Sequence, residues 1–257
     1  MTAEENRQSG EKIALTLMYD GSMFCGWQVQ KNAKSVQGFL QDALENVLSF
    51  RPDVCGCSRT DSGVHANNYV CHIPKSGINM DCERLTAALN AHLRDSGLAV
   101  KSACIKDADF HARYSCIAKE YEYKIWNERY DNPFLKGKAM FYPREIDIDA
   151  LSYVSKEFCG THDFRSFMTK GSKNENNTVR TVKHFEVNKA NGLITIRVCA
   201  DGFLYNMVRI MVGTYLDLAR KKAPQGTLAE IIDGKNRSLA GDTAPAHGLY
   251  LNRIFYN

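Results

Sequence analysis

Residues 57–69, CSRTDSGVHANNY, place an arginine two positions before an aspartate, and Ser-Gly follows. Side chains alternate along an extended chain, so Arg59 and Asp61 would share one side while Thr60 points away. The guanidinium would then lower the pKa of the carboxyl and keep it ionised. Gly63 can form a left-handed turn that leaves Asp61 at the mouth of a cleft. Such a carboxylate could act as a nucleophile or handle a proton, although Asp-Ser-Gly is also common in turns without chemistry.

Three further side chains lie in segments whose local patterns have a structural interpretation. Tyr121 lies in KEYEYKI, Arg209 in MVRIMVG and Leu249 in APAHGLYL. From the residues alone, the tyrosine is interpreted as strand core, the arginine as a surface or capping charge, and the leucine as core packing.

The cysteines bear on compartment and metal binding. They number nine, an odd count, and they are scattered along the chain. The N-terminal stretch MTAEENRQSGEK is polar and lacks the apolar segment of a secretory signal, so we expect a cytoplasmic protein with free thiols. Cys55 and Cys57 form a C-x-C pair, but no second pair of ligands stands nearby. The sequence therefore does not indicate a metal site.

Length, composition and charge limit the classes of protein to which this chain can belong. The chain has 257 residues, of which 44% are hydrophobic and 24% charged, which is typical of a soluble globular protein. No apolar run approaches the roughly 20 residues that span a bilayer, so no membrane association is expected. Residues 1–106 contain equal numbers of basic and acidic side chains, so the net charge of +4 lies entirely in residues 107–257. Basic side chains such as Lys170, Lys173 and Arg180 could meet phosphates there or form a solvated surface.

Hydrophobic periodicity predicts strands and helices in two similar series. In the first series, Ser35 is a plausible N-cap for one helix and Asp81 for the next. In the second, Asn191-Gly192 indicates a hairpin. The strands are predicted at 12–20, 68–73, 98–105, 119–125, 184–188 and 193–200, and the helices at 35–50, 81–93, 148–158 and 203–221.

This order of elements predicts an α+β fold of two similar α/β subdomains. Each should be an antiparallel-rich sheet with helices on one face, and the two should meet at a central basic cleft. We place a flexible N-terminus at 1–11, an N-terminal domain with the Asp61 loop at 12–106, and a C-terminal domain at 107–257. The segment 168–180, MTKGSKNENNTVR, is the best candidate for a mobile loop.

Six segments, in order, resemble the TruA-type tRNA pseudouridine synthases. The resemblance covers nearly the whole chain from residue 12 onward. The segments are YDGSMFCGWQVQ, SRTDSGVHA, DFHARYSCIAKEYEY, HDFRSF, DGFLYNMVRIMVG and APAHGLYL.

The resemblance implies an isomerase that converts uridine to pseudouridine in the anticodon arm of tRNA, at positions 38, 39 and 40 of tRNA numbering. The reaction breaks the bond from N1 to C1′, turns the uracil and joins C5 to C1′, so it needs no cofactor. It also implies a homodimer. Two alternatives stay open: a catalytically inactive RNA-binding protein on the same scaffold, and a synthase with a different target uridine. A carboxylate-dependent hydrolase is a third, but no partner carboxylate is evident.

Roles for individual residues follow from the same resemblance. Asp61 matches the essential aspartate, and Arg59 matches the residue that fills the space vacated when the uridine is extruded. Tyr121 should lie against the target base, Arg209 should be the basic partner of Asp61, and Leu249 should form part of the apolar wall.

The chain departs from the family pattern at two places. The family usually has glycine at the position of Ser58, and often Gly-Gln at the positions of Asn68-Tyr69. A serine that had to adopt positive φ would be strained. These departures leave the reaction type unchanged and bear on which uridine is the target.

Overall fold

The computed structural model describes residues 10–169, 176–219 and 227–257, which form two compact units. The first unit contains the chain up to Ile117 together with Leu251–Asn257, and the second is Ala118–Tyr250. Most of the N-terminus expected to be flexible, and residues 170–175 of the expected mobile loop, lie outside the described residues.

The first unit is a sheet with two helices. Its strand order is β4-β1-β3-β10, with β2 beside β3, and the pairs β1–β3, β1–β4 and β2–β3 are antiparallel. The strands are β1 (Lys12–Tyr19), β2 (Cys55–Gly56), β3 (His65–Pro74), β4 (Leu98–Lys106) and β10 (Leu249–Tyr256); the helices are α1 (Val36–Leu48) and α2 (Cys82–His92); a 3-10 turn spans Gly21–Met23.

Side-chain caps define where both helices of this unit begin. The Ser35 hydroxyl accepts a hydrogen bond of 3.2 Å from the Gly38 N–H, and Asp81 Oδ1 accepts one of 2.8 Å from the Arg84 N–H. Such caps satisfy N–H groups that have no partner within the helix. Both predicted caps are confirmed.

The second unit is also an antiparallel-rich sheet with helices. Its strand order is β5-β9-β8-β7, and β6 lies parallel to β5. The strands are β5 (Cys116–Trp126), β6 (Met140–Phe141), β7 (Gly160–Asp163), β8 (Val179–Ala190) and β9 (Leu193–Ala200); the helices are α3 (Ile148–Ser155), α4 (Met207–Ala219) and α5 (Leu228–Asp233); 3-10 turns span Pro133–Leu135, Lys156–Phe158, Phe164–Phe167, Arg237–Leu239 and Ala246–Gly248. The α+β class is therefore confirmed.

Two elements of the second unit test the sequence patterns directly. Asn191 and Gly192 have φ of 49° and 78°, as the tight turn between β8 and β9 requires, so the predicted hairpin is confirmed. The helix predicted from residue 203 begins only at Met207, because Asn206 has a φ of 62°. Residues 220 and 221 of that prediction lie outside the described residues.

Helix α4 is buried on nearly every side. Its buried hydrophobic side chains are Met207, Val208, Ile210, Met211, Val212, Tyr215 and Leu216. A helix that is apolar around its circumference belongs in a core. None of the described helices is long and apolar enough to cross a membrane.

Candidate active site

Asp61 lies at the start of a tight turn in the first unit. The Val64 N–H donates a hydrogen bond of 3.1 Å to the Asp61 carbonyl, and Gly63 has a φ of 81°, the left-handed conformation expected from the sequence. Asp61 is half-buried, whereas Thr60 and Val64 on either side are buried. Asp61 is therefore partly exposed within a segment whose flanking residues are anchored.

The segment 19–30 holds this turn by close backbone contact. The Trp27 N–H donates to the Thr60 carbonyl at 3.1 Å. A Cβ on Gly26, whose φ is 87°, would lie 2.7 Å from the Thr60 carbonyl oxygen, and a Cβ on Gly21 would lie 2.1 Å from that of Val64. Contacts under 3.0 Å are not tolerated, so glycine is required at both positions.

Two buried tyrosines also reach the residues just before Asp61. The Tyr69 hydroxyl donates to the Ser58 carbonyl and accepts from the Ser58 N–H at 3.5 Å. The Tyr19 hydroxyl lies 2.8 Å from the Thr60 Oγ1. We call residues 58–64 the Asp61 loop.

Arg59 does not make the contact that the sequence pattern suggested. Its side chain is exposed, and no ion pair joins it to Asp61 in the described ranges. The backbone is bound on both sides of Arg59, at the Ser58 carbonyl by Tyr69 and at the Thr60 carbonyl by the Trp27 N–H, and the Arg59 side chain itself is exposed. In this structure it is therefore available to a ligand and does not act as a partner of the carboxylate.

The two departures from the family pattern are accommodated within the first unit. Ser58 is absent from the non-glycine residues with positive φ in the described chain, so the serine is not strained. Asn68 donates to the Asn252 carbonyl at 2.8 Å and accepts from Lys101 Nζ at 2.5 Å. Asn68 therefore joins β3 to β10.

In the second unit, Arg209 is held in place by two acceptors. Its Nε donates to the Ala244 carbonyl at 2.7 Å, and its Nη1 donates to Asn206 Oδ1 at 2.8 Å. The Asn206 amide nitrogen donates in turn to Thr169 Oγ1 at 3.0 Å. Burial lowers the pKa of His247, and the nearby positive charge of Arg209 lowers it further. This arrangement fixes the guanidinium at the first turn of α4.

Tyr121 and Leu249 are largely buried; both belong to the second unit, which includes the first two residues of β10. Tyr121 is 7% exposed, and its ring meets that of Phe203 edge-on, with centroids 5.0 Å apart. Leu249 is 6% exposed. On the same strand face as Tyr121, the Tyr123 hydroxyl donates to the Pro245 carbonyl at 2.8 Å. Burial raises the pKa of Tyr123, so this phenol is a neutral donor.

One cluster has the residue types of a metal site. The candidate ligand atoms of Cys55, His72 and His111 lie within 4.8 Å of one another. However, His72 Nδ1 accepts from the Ala112 N–H at 3.1 Å, and His111 Nδ1 accepts from the Arg113 N–H at 3.1 Å. The single proton of each neutral ring is therefore on Nε2. A histidine that binds a metal through Nε2 normally carries its proton on Nδ1 and donates it to a hydrogen-bond acceptor. The cluster is organised for hydrogen bonding, with His111 Nε2 donating to Cys55 Sγ at 3.4 Å.

Comparisons with known proteins identify the family of this chain. The family model described as tRNA pseudouridine synthase matches residues 16–115 and 154–257, which include the Asp61 loop, α4 and β10. The chain belongs to the tRNA pseudouridine synthase family. It is accordingly a pseudouridine synthase, an isomerase.

Relatives of this family match over nearly their whole length. The chain is 38% identical over 245 residues to the tRNA pseudouridine synthase A of Acetivibrio thermocellus and 39% identical over 246 residues to that of Ruminiclostridium cellulolyticum, covering 95% of this chain and 99% of each relative. It is 37% identical over 247 residues to that of Geobacillus kaustophilus, covering 96% of this chain and 95% of the relative. A chain of a solved Cbf5-Nop10-Gar1 complex aligns with a TM-score of 0.42 at 12% identity, covering 98% of this chain and 51% of that chain.

The structure shows four side chains that contact the candidate site residues or the Asp61 loop and to which the sequence analysis gave no role. Tyr19 and Tyr69 bind the Asp61 loop, Asn206 holds Arg209, and Phe203 contacts Tyr121. Tyr19, Asn206 and Phe203 all lie inside the quoted family segments, which is the signal that could have found them. Tyr69 lies at a departure from the family pattern, and only the folded structure shows its contact.

Proposed function

We propose that this synthase converts uridine to pseudouridine in the anticodon arm of tRNA, with Asp61 as the reacting carboxylate. The observation that carries the assignment is the Asp61 loop itself. Asp61 is half-buried between the buried residues Thr60 and Val64, and Trp27 and two tyrosines bind the residues just before it. Fixed placement of a reacting group is a large source of rate enhancement.

Four other residues are proposed to contact the RNA. The exposed guanidinium of Arg59 could contact the nucleotide backbone or fill the space left by an extruded base. Filling that space would offset part of the cost of extrusion, which is about a few kcal/mol. Tyr121 and Leu249, which are 7% and 6% exposed, are proposed to contact the base with an aromatic ring and an apolar side chain. Arg209 offers a positive charge that does not need to be reoriented, because Ala244 and Asn206 already hold it.

The charge distribution supports a nucleic-acid substrate. The net charge of +4 lies entirely in residues 107–257. Lysine and arginine side chains that meet phosphates displace counterions, so affinity should fall steeply as salt increases. We expect the dissociation constant for tRNA to rise about tenfold or more between low and physiological salt, and a flat response would contradict an RNA substrate.

We further propose that the protein acts in the cytoplasm as a homodimer. The described cysteines are all free thiols, as a reducing compartment would keep them. The dimer is an expectation from the family resemblance. Light scattering of the purified protein tests it, and a monomeric mass at working concentrations would contradict it.

The target is tested by incubating the purified protein with unmodified tRNA transcripts and mapping pseudouridine at each nucleotide. The proposal expects pseudouridine in the anticodon arm and an unchanged RNA length. Modification confined to another arm would contradict the site assignment. Binding without any product would indicate an inactive RNA-binding protein, and release of free uracil would indicate a hydrolase.

A further inference from the structure

We propose that Tyr69 is a positioning residue for catalysis, acting on Asp61 through the backbone of Ser58. The inference rests on the proposed role of Asp61. Its starting point is that a single buried hydroxyl satisfies both backbone groups of Ser58, accepting from the N–H and donating to the carbonyl. Ser58 is the third residue before Asp61, and the short segment between them has no other regular structure to define its path.

Packing on several sides holds the ring of Tyr69 in place. Its side chain is fully buried and stacks on Trp27 with centroids 4.1 Å apart and planes 25° apart. On the other side of the hydroxyl, a Cβ added to Gly56 would lie 2.1 Å from the Tyr69 oxygen. Tyr69 is paired with Leu17 in the β1–β3 register, so its backbone is fixed by the sheet. The hydroxyl therefore anchors the Asp61 loop to the sheet through its hydrogen bonds to Ser58.

Tyr19 holds the same loop at a second point. Its hydroxyl lies 2.8 Å from Thr60 Oγ1, and its ring lies 5.7 Å from that of Tyr69. The two phenols thus bind the residues on either side of Arg59, one and three positions before Asp61. Burial raises the pKa of Tyr69 well above its usual range, so its hydroxyl keeps its proton throughout the working pH range.

The two departures from the family pattern meet in this contact. Ser58 and Tyr69 both differ from the residues usual in the family, and each contacts the other through the Tyr69 hydroxyl. A chain with a different side chain at position 69 would have to position residue 58 by another contact. This chain does so with a phenol, and the geometry assigns that phenol to the placement of Asp61.

Tyr69→Phe tests the inference because it removes the hydroxyl and keeps the ring that packs on Trp27. We expect kcat on tRNA transcripts to fall about tenfold or more, since small displacements of a reacting group have large effects on rate. The dissociation constant for tRNA should stay within about twofold of wild type, because Tyr69 is buried and meets no RNA. Tyr19→Phe should act in the same direction and serves if Tyr69→Phe does not fold.

Tyr215→Phe is the matched control. Tyr215 is also fully buried, and its hydroxyl has no hydrogen-bond partner among the described residues, so kcat should be unchanged. A kcat within about twofold of wild type in Tyr69→Phe, or in Tyr19→Phe if only that variant folds, overturns the inference. So does an equal loss of kcat and tRNA affinity, which marks a structural effect alone. Asp61→Asn is assayed in the same experiment. If Asp61→Asn keeps full turnover, the proposed function is wrong. If Asp61→Asn is inactive and Tyr69→Phe has normal turnover, only the inference about Tyr69 is wrong.

Discussion

The hydroxyl of Tyr123 donates a hydrogen bond of 2.8 Å to the carbonyl of Pro245, which ties the strand that carries Tyr121 to the segment that receives Arg209. Both groups belong to the second unit, and the phenol is fully buried. The Pro245 carbonyl is partly buried, and such a carbonyl that loses its donor is left with an incompletely compensated loss of hydration. The contact therefore connects two family segments, KEYEY and APAHG, in one packed arrangement.

Tyr123→Phe removes this hydrogen bond and keeps the ring. We expect the free energy of unfolding to fall by about 1 to 2 kcal/mol, measured by urea denaturation. Tyr215→Phe, which removes a buried hydroxyl without a partner among the described residues, should cost much less. Equal losses in the two variants would show that the Pro245 contact is energetically unimportant.

Gly26→Ala should disrupt the Asp61 loop. Its new Cβ would lie 2.7 Å from the Thr60 carbonyl at a φ of 87°, so both steric overlap and backbone strain oppose it. We expect a loss of stability of about 2 to 4 kcal/mol, with a loss of turnover as the loop shifts.

Gly137→Ala separates these two causes. Gly137 has a φ of 70°, but its Cβ would meet nothing within 4 Å, so only the strain of about 1 kcal/mol should remain. Thermal melting and turnover of the two variants give the comparison. Similar effects at both positions would contradict the proposed close approach of residue 26 to the loop.

Arg209→Lys keeps the positive charge and loses the forked geometry. Lysine has all its donors on one nitrogen, so it cannot reproduce the planar fork in which Nε donates to the Ala244 carbonyl and Nη1 to Asn206 Oδ1. We expect kcat/KM for tRNA to fall about tenfold, because the charge is no longer held at the first turn of α4. Arg197→Lys is the control, since Arg197 is half exposed and bonds Glu122 on the same sheet. The role of Arg209 is wrong if both variants behave alike.

His72 predicts a pH dependence of stability. Burial lowers its pKa from 6.5 to about 4, with His111 and Lys12 acting in the same direction. Between these values the unfolded chain binds the proton and the folded chain does not, so stability is full above about pH 6.5 and falls as pH drops toward 4. The loss should be on the order of 2 to 3 kcal/mol.

His72→Asn tests this directly. The asparagine oxygen can still accept from the Ala112 N–H, but the side chain does not titrate. Urea denaturation of both proteins from pH 7.5 to 4.5 should show a flatter profile for the variant. Parallel profiles would mean that other groups cause the acid sensitivity.

Local sequence signals predicted much of this fold. Ser35 and Asp81 cap their helices because each cap needs only residues within one turn, and Asn191-Gly192 forms its hairpin for the same reason. The Asp61 turn was also predicted from Gly63, whose φ is 81°. Each of these features depends on residues that are close together in the sequence, so the sequence alone is enough to predict it.

Other features depend on register and on contacts between distant segments. The Tyr69 hydroxyl meets Ser58 only because β2 and β3 pair as they do, and Arg209 meets Ala244 across 35 positions. The return of Leu251–Asn257 to the first unit is likewise a matter of strand pairing. At Asn206 the helical pattern continued through a residue with positive φ, so periodicity placed the start of α4 too early.

The most direct test of the account compares wild type with Asp61→Asn, with tRNA binding and mapped pseudouridine measured on the same transcripts. The substitution keeps the shape of the side chain and removes its charge. Asp53→Asn, at an exposed carboxylate of the same unit, is the control. We expect Asp61→Asn to bind tRNA within about threefold of wild type and to form product at less than about one-thousandth of its rate. Turnover of Asp61→Asn comparable to that of wild type would contradict the assignment of the reacting carboxylate.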